Sequence, residues 1–160
     1  CIAPASVWFT KQLPQHKWVE FIQQLPKDLT IYVLGAKGDR RLANSIEKNC
    51  PEHECHNLAG QLTLLQSAAL IQDATLTYTN DSAPMHLASA MNAPVAAVFC
   101  STVPAFGFGP LSDQSYVIET SKQLSCRPCG LHGKKRCSIG DFTCAESINT
   151  STMVRCLSKS

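Results

Sequence analysis

The turn at residues 80–86 (NDSAPMH) places small, hydroxyl-bearing and titratable residues just after a short apolar strand. Because the turn opens a helix, its free backbone N–H groups and the helix dipole favour an anion such as phosphate. Ser82 adds a hydroxyl donor, Ala83 lets a phosphate approach the backbone, and Asp81 suits a sugar hydroxyl. His86 is predicted about one turn into the helix, facing the same opening. The alternative is that Asp81 or Ser82 only caps the helix and His86 is a surface residue.

A second loop, residues 4–14, follows the first predicted strand and carries hydroxyl groups beside a lysine. Ser6 and Thr10 offer hydroxyls, and Lys11 offers a cation that can neutralise a phosphate leaving group. Together these residues would make a diphosphate clamp. The alternative is a solvated lysine on an ordinary loop, since most lysines lie at protein surfaces.

A third loop, residues 35–39 (GAKGD), combines two glycines with an acidic residue. Gly35 and Gly38 allow a tight approach to the backbone. Asp39 suits either the hydroxyls of a ribose or the cap of the following helix. The sequence contains neither G-x-G-x-x-G nor G-x-x-x-x-G-K-[ST]. The sequence therefore lacks the motifs that would indicate a classical dinucleotide-binding fold or a P-loop NTPase.

The elements that must position these loops are short apolar strands alternating with helices of about ten residues. This alternation predicts an α/β fold with a Rossmann-like, doubly wound parallel sheet. Ligands bind beyond the carboxyl ends of the strands in such sheets, and that rule selects the same three loops. Thr63 is the expected cap of the third helix, and Pro84 the expected first residue of the fourth. The helices are predicted at 15–25, 39–48, 63–72, 85–91 and about 150–158, and the strands just before residue 4 and at 30–34, 76–79, 94–99 and 116–119.

Length and composition predict one domain over residues 1–160, since 44% of the residues are hydrophobic. The net charge of +2 is too small to indicate nucleic acid as a partner. No apolar run approaches the roughly 18–20 residues of a membrane span. The first residues, 1–4 (CIAP), resemble neither a signal peptide nor a start at methionine, and we expect a piece of a longer protein.

Four of the nine cysteines cluster in the pattern Cys126-x2-Cys129-x7-Cys137-x6-Cys144. Four thiolates at such spacings could make a tetrahedral structural zinc site. The alternatives are a mobile loop of reduced thiols, or disulfides formed during handling. The odd cysteine count and the scatter of the other five favour a reducing compartment with mostly free thiols.

Read in order, the three loops resemble the C-terminal, donor-binding half of glycosyltransferase family 9, the lipopolysaccharide heptosyltransferases. The match at residues 80–88 (NDSAPMHLA) is the densest, and residues 93–99 (APVAAVF) follow it. The cysteine cluster is also similar to the C-terminal end of that family. Weaker matches lie at Pro4, Ser6, Thr10-Lys11, Pro14, Trp18, Leu34-Gly35, Asp39 and residues 60–64 (GQLTL).

The resemblance implies the C-terminal half of a GT-B enzyme, in which two Rossmann-like domains face a cleft and this one holds ADP-heptose. Lys11 and Asp81 would be catalytic, and Ala83 stands where the family often has glycine. Asp39 stands where a glutamate is common, which shortens its reach toward the ribose. The implied contacts are Ser6, Thr10 and Lys11 with the diphosphate, Asp39 with the ribose, residues near Leu62 with the adenine, Asp81 with the sugar, and Ser82, Ala83 and His86 around a phosphate.

The implied reaction is the inverting transfer of heptose from ADP-heptose to the lipopolysaccharide inner core. It implies no cofactor and no metal at the donor, and it places the catalytic base in an N-terminal domain outside this chain. The implied partners are the nucleotide sugar, that domain and the core acceptor at the membrane surface, with a cytoplasmic, peripheral location. We expect the isolated domain to bind nucleotide weakly without turnover. Two alternatives stay open: a GT-B enzyme for another nucleotide sugar, and a noncatalytic nucleotide-binding module with a metal-stabilised tail.

Overall fold

Six short strands form one parallel sheet in the computed structural model, which describes residues 1–159. The strand order is β3-β2-β1-β4-β5-β6. The chain therefore runs outward twice from β1 and β4, which is the doubly wound, Rossmann-like arrangement that the sequence predicts. The strands are β1 (Ile2–Ala3), β2 (Ile31–Val33), β3 (Cys55–Asn57), β4 (Thr77–Asn80), β5 (Val95–Phe99) and β6 (Ser115–Glu119).

Helices connect and cover these strands at nearly all the predicted positions. Thr63 caps the third helix as expected, since its hydroxyl accepts a hydrogen bond from the Gln66 amide at 3.3 Å. Pro84 is the second helical residue rather than the first, because the fourth helix already begins at Ala83. The helices are α1 (Gln15–Gln23), α2 (Arg40–Lys48), α3 (Leu64–Gln72), α4 (Ala83–Ala90), α5 (Thr143–Glu146) and α6 (Thr150–Leu157), with single 3₁₀ turns at Phe9–Lys11, Lys37–Asp39 and Pro104–Phe106.

Two elements escape the sequence prediction because their signals are short. Strand β3 has only three residues, none of them fully buried, and lies at the edge of the sheet. It therefore lacks the apolar run that marks the central strands. Helix α5 spans only four residues, too few for a helical period to be recognised.

Both faces of the sheet are buried under helices. The larger cluster packs α1, α2 and α6 on one face, where the rings of Phe21 and Tyr78 lie 4.5 Å apart. The smaller cluster packs α3 and α4 on the other face, through Ile71 and Ala88. Every residue of β5 is buried, as expected for a central parallel strand. Within residues 1–159, no helix has the length and apolar character that a membrane crossing requires.

Gly60 brings the loop after β3 against the loop after β2. Its φ is +69°, its N–H donates to the Gly35 carbonyl at 2.8 Å, and an added Cβ would lie 2.5 Å from the Cα of Lys37. We expect Gly60→Ala to lower the free energy of unfolding by about 3 kcal/mol, through backbone strain plus a backbone clash. Urea denaturation measures this loss.

Gly107→Ala is the matched control, since Gly107 also has a positive φ (+87°) but nothing within 4 Å of the added Cβ. It should cost only the conformational strain, about 1 kcal/mol. Equal losses in the two variants would show that the close approach at Gly60 contributes nothing.

Candidate functional site

Two adjoining cavities open at the carboxyl ends of the central strands. The larger, about 440 Å³, lies between the loops after β1 and β2 and the helices α3 and α4. The smaller, about 290 Å³, lies between the Lys11 side chain and the loop after β5. Ser82 and Ala83, at the start of α4, line both cavities. This is the edge of a doubly wound sheet where ligands bind.

The larger cavity has mostly apolar walls with a few polar groups. Leu34, Leu62 and Leu87 contribute to the walls, and the Ser6 and Asp39 side chains lie among them. Apolar walls with a few convergent polar groups are typical of small-molecule sites. The cavity has the chemistry to hold an aromatic ring together with a hydroxylated group.

Asp39 occupies the N-cap position of α2, but its side chain makes no cap hydrogen bond to that helix. Instead its Oδ2 accepts a hydrogen bond from the Ala36 amide at 2.7 Å, which closes the turn after β2. The carboxylate still lines the larger cavity. The Asp39 side chain therefore caps the 3₁₀ turn Lys37–Asp39 that leads into α2, and makes no cap hydrogen bond to α2 itself.

An ion pair lies at the base of the smaller cavity. The ammonium Nζ of Lys11 lies 2.8 Å from Oδ2 of Asp81, and the two side chains are only 15% and 8% exposed. The Thr102 hydroxyl donates to the same carboxylate oxygen at 2.6 Å. The carboxylate thus has two partners from two different loops, which fixes its position relative to the lysine.

Aromatic rings and imidazoles line the same cavity as this ion pair. The other lining residues include Phe106, Phe108, His86 and His132. Hydrogen-bonding imidazoles beside aromatic faces suit a hydroxylated ring such as a sugar. The smaller cavity therefore combines a fixed cation with groups that can bind sugar hydroxyls.

The N-terminus of α4 points at the boundary between the two cavities. Ser82 is its N-cap residue, in an extended conformation, and makes no side-chain cap hydrogen bond. The Ser82 hydroxyl donates to the Asn80 carbonyl at 3.3 Å instead. Because the Ser82 side chain accepts no hydrogen bond from the backbone N–H groups of the first turn, these groups can still bind an anion. Ser82 therefore occupies the N-cap position, as the alternative interpretation expected, but its side chain does not cap the helix.

Asn80, the last residue of β4, ties the loop after β1 to the sheet. It is fully buried; its Oδ1 accepts from the Leu13 amide at 2.9 Å, and its Nδ2 donates to the Pro4 carbonyl at 2.7 Å. One side chain thus satisfies a backbone group at each end of the loop that carries Lys11. The sequence indicated Asn80 only as part of a turn and missed this function.

The structure gathers most of the predicted residues around the two cavities. Thr10 differs: it is buried, and its hydroxyl accepts hydrogen bonds from the Ser101 hydroxyl at 3.0 Å and the Lys134 amide at 2.7 Å. It therefore lies behind Lys11 and holds the loop, instead of lining the site. The larger cavity is lined by Ser6, Asp39, Leu62, Ser82 and Ala83, and the smaller by Lys11, Asp81, Ser82, Ala83 and His86.

Sequence reasoning missed the contribution of the loop after β5. Thr102, Phe106 and Phe108 all belong to this loop. The rule that selected the loops after the other central strands applies equally to β5, so the signal was present. His132 could not be found in this way, because it comes from a segment without strands or helices.

All nine cysteines are free thiols in the structure. Burial above all, and then the neighbouring Cys129, Cys126 and Cys137, raise the pKa of Cys144 to about 11. Burial would also raise the pKa of Cys137, but N–H groups of the 139–142 backbone bond to its sulfur and lower it. No set of three or more His, Cys, Asp or Glu side chains within residues 1–159 is arranged to hold a metal ion. The zinc site stays a prediction.

Comparison with known proteins gives one family and several relatives. The family described as glycosyltransferase family 9 (heptosyltransferase) matches residues 1–138. Lipooligosaccharide heptosyltransferase 2 of Haemophilus ducreyi is 35% identical over 121 residues, which cover 72% of this chain and 33% of that protein. Lipopolysaccharide heptosyltransferase 2 of Escherichia coli K12 is 32% identical over 119 residues, covering 72% and 32%. The chain spans about a third of the length of these relatives.

A solved structure, one of several that do so, matches over nearly the whole chain. It is described as E. coli ADP-heptose lps heptosyltransferase II, and it superimposes with a TM-score of 0.79 at 25% identity. The match covers 99% of this chain and 44% of that one. The similarity supports the same conclusion as the strand order: the expected Rossmann-like fold is confirmed.

Proposed function

The chain belongs to glycosyltransferase family 9, the heptosyltransferases, and from this premise we propose that it is the donor-binding half of a GT-B enzyme. The enzyme moves heptose, with inversion, from ADP-heptose to the lipopolysaccharide inner core. One observation carries the proposal. The nearly buried Lys11–Asp81 pair lies beside a cavity large enough for a nucleoside, at the N-terminus of α4.

The larger cavity is the proposed nucleoside site. The walls near Leu62 and Leu87 suit the two faces of an adenine ring. The Asp39 carboxylate, with one oxygen already accepting from the Ala36 amide, presents an acceptor to the ribose hydroxyls. Ser6 lines the same cavity, on the loop after β1 that also carries Lys11, and its hydroxyl suits the diphosphate.

The boundary between the cavities is the proposed diphosphate site. Lys11, the N-terminus of α4 and the Ser82 hydroxyl would face the two phosphates there. As the bond between the sugar carbon and the phosphate oxygen breaks, negative charge grows on the departing ADP. A positioned lysine stabilises that charge more in the transition state than in the ground state.

Asp81 has two proposed roles in the smaller cavity. Its carboxylate holds the Lys11 ammonium in place at 2.8 Å and accepts hydrogen bonds from heptose hydroxyls. His86 lines the same cavity one turn into α4 and would contact a phosphate or the sugar. The base that activates the acceptor hydroxyl would come from an N-terminal domain across the cleft. The isolated chain is therefore expected to bind the donor without turning it over.

The remaining partners follow from the family. We infer that the acceptor is the lipopolysaccharide core at the inner face of the bacterial inner membrane, and that the enzyme is cytoplasmic and peripheral there. Nucleic acid is not a proposed partner, and the donor reaction needs no metal or other cofactor. An enzyme for a different nucleotide sugar is the second candidate, because the larger cavity could accept another base.

Calorimetric titration of the chain with ADP, UDP and GDP tests the proposed donor. We expect ADP to bind about tenfold more tightly than the other two, since the apolar walls suit adenine and offer few partners for the polar edges of uracil or guanine. A preference for UDP or GDP would be consistent with a glycosyltransferase but would contradict heptose as the transferred sugar. A stoichiometric bound metal with no nucleotide affinity would instead favour a noncatalytic module.

A further inference from the structure

The cysteine-rich segment, residues 126–144, passes directly behind the Lys11–Asp81 pair. Its first anchor is Arg127, whose side chain is only 12% exposed. The guanidinium donates from Nε to the Cys100 carbonyl at 2.8 Å and from Nη2 to the Thr102 carbonyl at 2.8 Å. Nη2 also lies 2.6 Å from the Glu119 carboxylate. Arg127 therefore fastens the backbone that follows β5 to the end of β6.

A second anchor lies beside the first. The Cys129 amide donates to the Ser101 carbonyl at 2.8 Å, between the two carbonyls that Arg127 holds. The residues fixed in this way supply one side chain that reaches the ion pair and one that reaches the residue before Lys11. The Thr102 hydroxyl donates to Asp81, and the Ser101 hydroxyl donates to Thr10, the residue before Lys11.

A third anchor holds the lysine side of the pair. The Thr10 amide donates to the Lys134 carbonyl at 3.1 Å, and the Lys134 amide donates to the Thr10 hydroxyl at 2.7 Å. Gly133 makes the close approach possible, with φ +75°. A Cβ there would lie 3.0 Å from Cγ of Lys11 and 3.2 Å from the Ser101 hydroxyl.

We propose that the cysteine-rich segment positions the Lys11–Asp81 pair, with Arg127 acting through Thr102 on Asp81 and Gly133–Lys134 acting through Thr10 on Lys11. Neither Arg127 nor Lys134 needs to touch a substrate for this role. The inference rests on the proposed function only for the identity of the ligand that would bind beside the Lys11–Asp81 pair. The positioning itself is a property of the free chain.

Arginine suits the first anchor better than lysine would. One planar guanidinium can donate hydrogen bonds to several carbonyl oxygens and a carboxylate at once, whereas an ammonium is a point charge on a flexible stem. Arg127→Lys keeps the charge and loses this geometry. It is therefore a mild variant, which tests position while preserving the charge balance.

The direct test uses NMR of the chain after ¹³C-methylation of its lysines, with the Lys11 signal assigned by its loss in Lys11→Arg. Asp81→Asn gives the position of that signal when the ion pair is broken. We expect Arg127→Lys and Gly133→Ala each to move the Lys11 signal most of the way to that position. Thermal unfolding of the same samples shows that they remain folded.

Two matched controls carry the same substitutions elsewhere in the segment. Arg136→Lys changes an exposed arginine, and Gly130→Ala changes a glycine with φ +72° that has nothing within 4 Å of the added Cβ. Both should leave the Lys11 signal at the wild-type position. The proposal is overturned if the folded Arg127→Lys and Gly133→Ala proteins also keep the wild-type signal. It is equally overturned if the controls move the signal as far as the tested variants.

A parallel ADP titration separates this inference from the proposed function. We expect Arg127→Lys to weaken ADP binding about tenfold, the effect of misplacing one charge-assisted hydrogen bond. Should the wild-type chain show no affinity for ADP while its Lys11 signal still depends on Arg127, the proposed donor site fails and the positioning role stands. If the wild-type chain binds ADP, and every variant keeps both that affinity and the wild-type Lys11 signal, the donor site is supported. The positioning role is then contradicted.

Discussion

Lys11→Met is expected to weaken ADP binding by at least about tenfold and to lower the free energy of unfolding by about 3 kcal/mol. Methionine keeps much of the aliphatic stem and removes the charge. The Asp81 carboxylate, 8% exposed, is then left with the Thr102 hydroxyl alone. An uncompensated, nearly buried charge destabilises the fold, and the loss of the cation removes the phosphate partner. Calorimetry measures the affinity and urea denaturation the stability.

The double variant Lys11→Met/Asp81→Asn separates the two effects. Removing both charges should restore most of the stability, because no unpaired charge remains, while ADP affinity stays low. Lys135→Met is the matched control, since Lys135 is exposed and lies outside both cavities. If the double variant is as unstable as the sum of the single variants, the pair is not energetically connected. If Lys135→Met loses as much ADP affinity as Lys11→Met, the lysine acts only through net charge.

The second large effect is expected at Asn80. Asn80→Ala leaves the Leu13 amide and the Pro4 carbonyl without their side-chain partners inside the protein. Each unsatisfied buried group costs about 1–3 kcal/mol, so we expect a total loss of about 4 kcal/mol in the free energy of unfolding. Urea denaturation measures it. Since the same loop carries Lys11, ADP affinity should also fall.

Asn49→Ala is the control for Asn80→Ala. The Asn49 side chain also bonds a backbone carbonyl, that of Ser45 at 2.7 Å, but in an exposed position. Water replaces that partner, and the loss should stay below about 1 kcal/mol. Comparable losses at the two positions would show that burial does not decide the energy of the Asn80 contacts.

The sequence predicts the sheet and the loops that carry Lys11 and Asp81, because both depend on local patterns and one topological rule, but it does not predict that the two side chains form an ion pair. Helical spacing and apolar runs mark α1 to α4 and the central strands. Once β1 and β4 are adjacent and parallel, with Ala3 opposite Thr79, the loops that follow them must meet. Lys11 and Asp81 then come together although 70 residues separate them in the sequence.

The supports of the site could not be predicted in the same way. Thr10 and Lys11 are neighbours in a polar loop, and only the packed structure turns one inward and leaves the other at the cavity. Arg127 and Gly133 lie in a segment without strands or regular helix, where no periodicity indicates a partner. Arg127 bonds mainly to backbone carbonyls of another loop, and the pattern of side chains along a sequence does not predict such partners.

The two cavities share Ser82 and Ala83, and the loop after β1 and helix α4 contribute to both, but the rest of their walls comes from separate parts of the chain. Side chains from the β2 loop, α3 and α4 shape the larger cavity. The β5 loop and the cysteine-rich segment frame the smaller one. Substitutions at positions such as Leu62 can therefore reshape the walls of the proposed nucleoside site, while Asn80 and Thr102 keep the loop and the carboxylate of the ion pair in place. In evolutionary terms, if the proposed function holds, the choice of nucleotide and the chemistry of transfer can diverge separately on this scaffold.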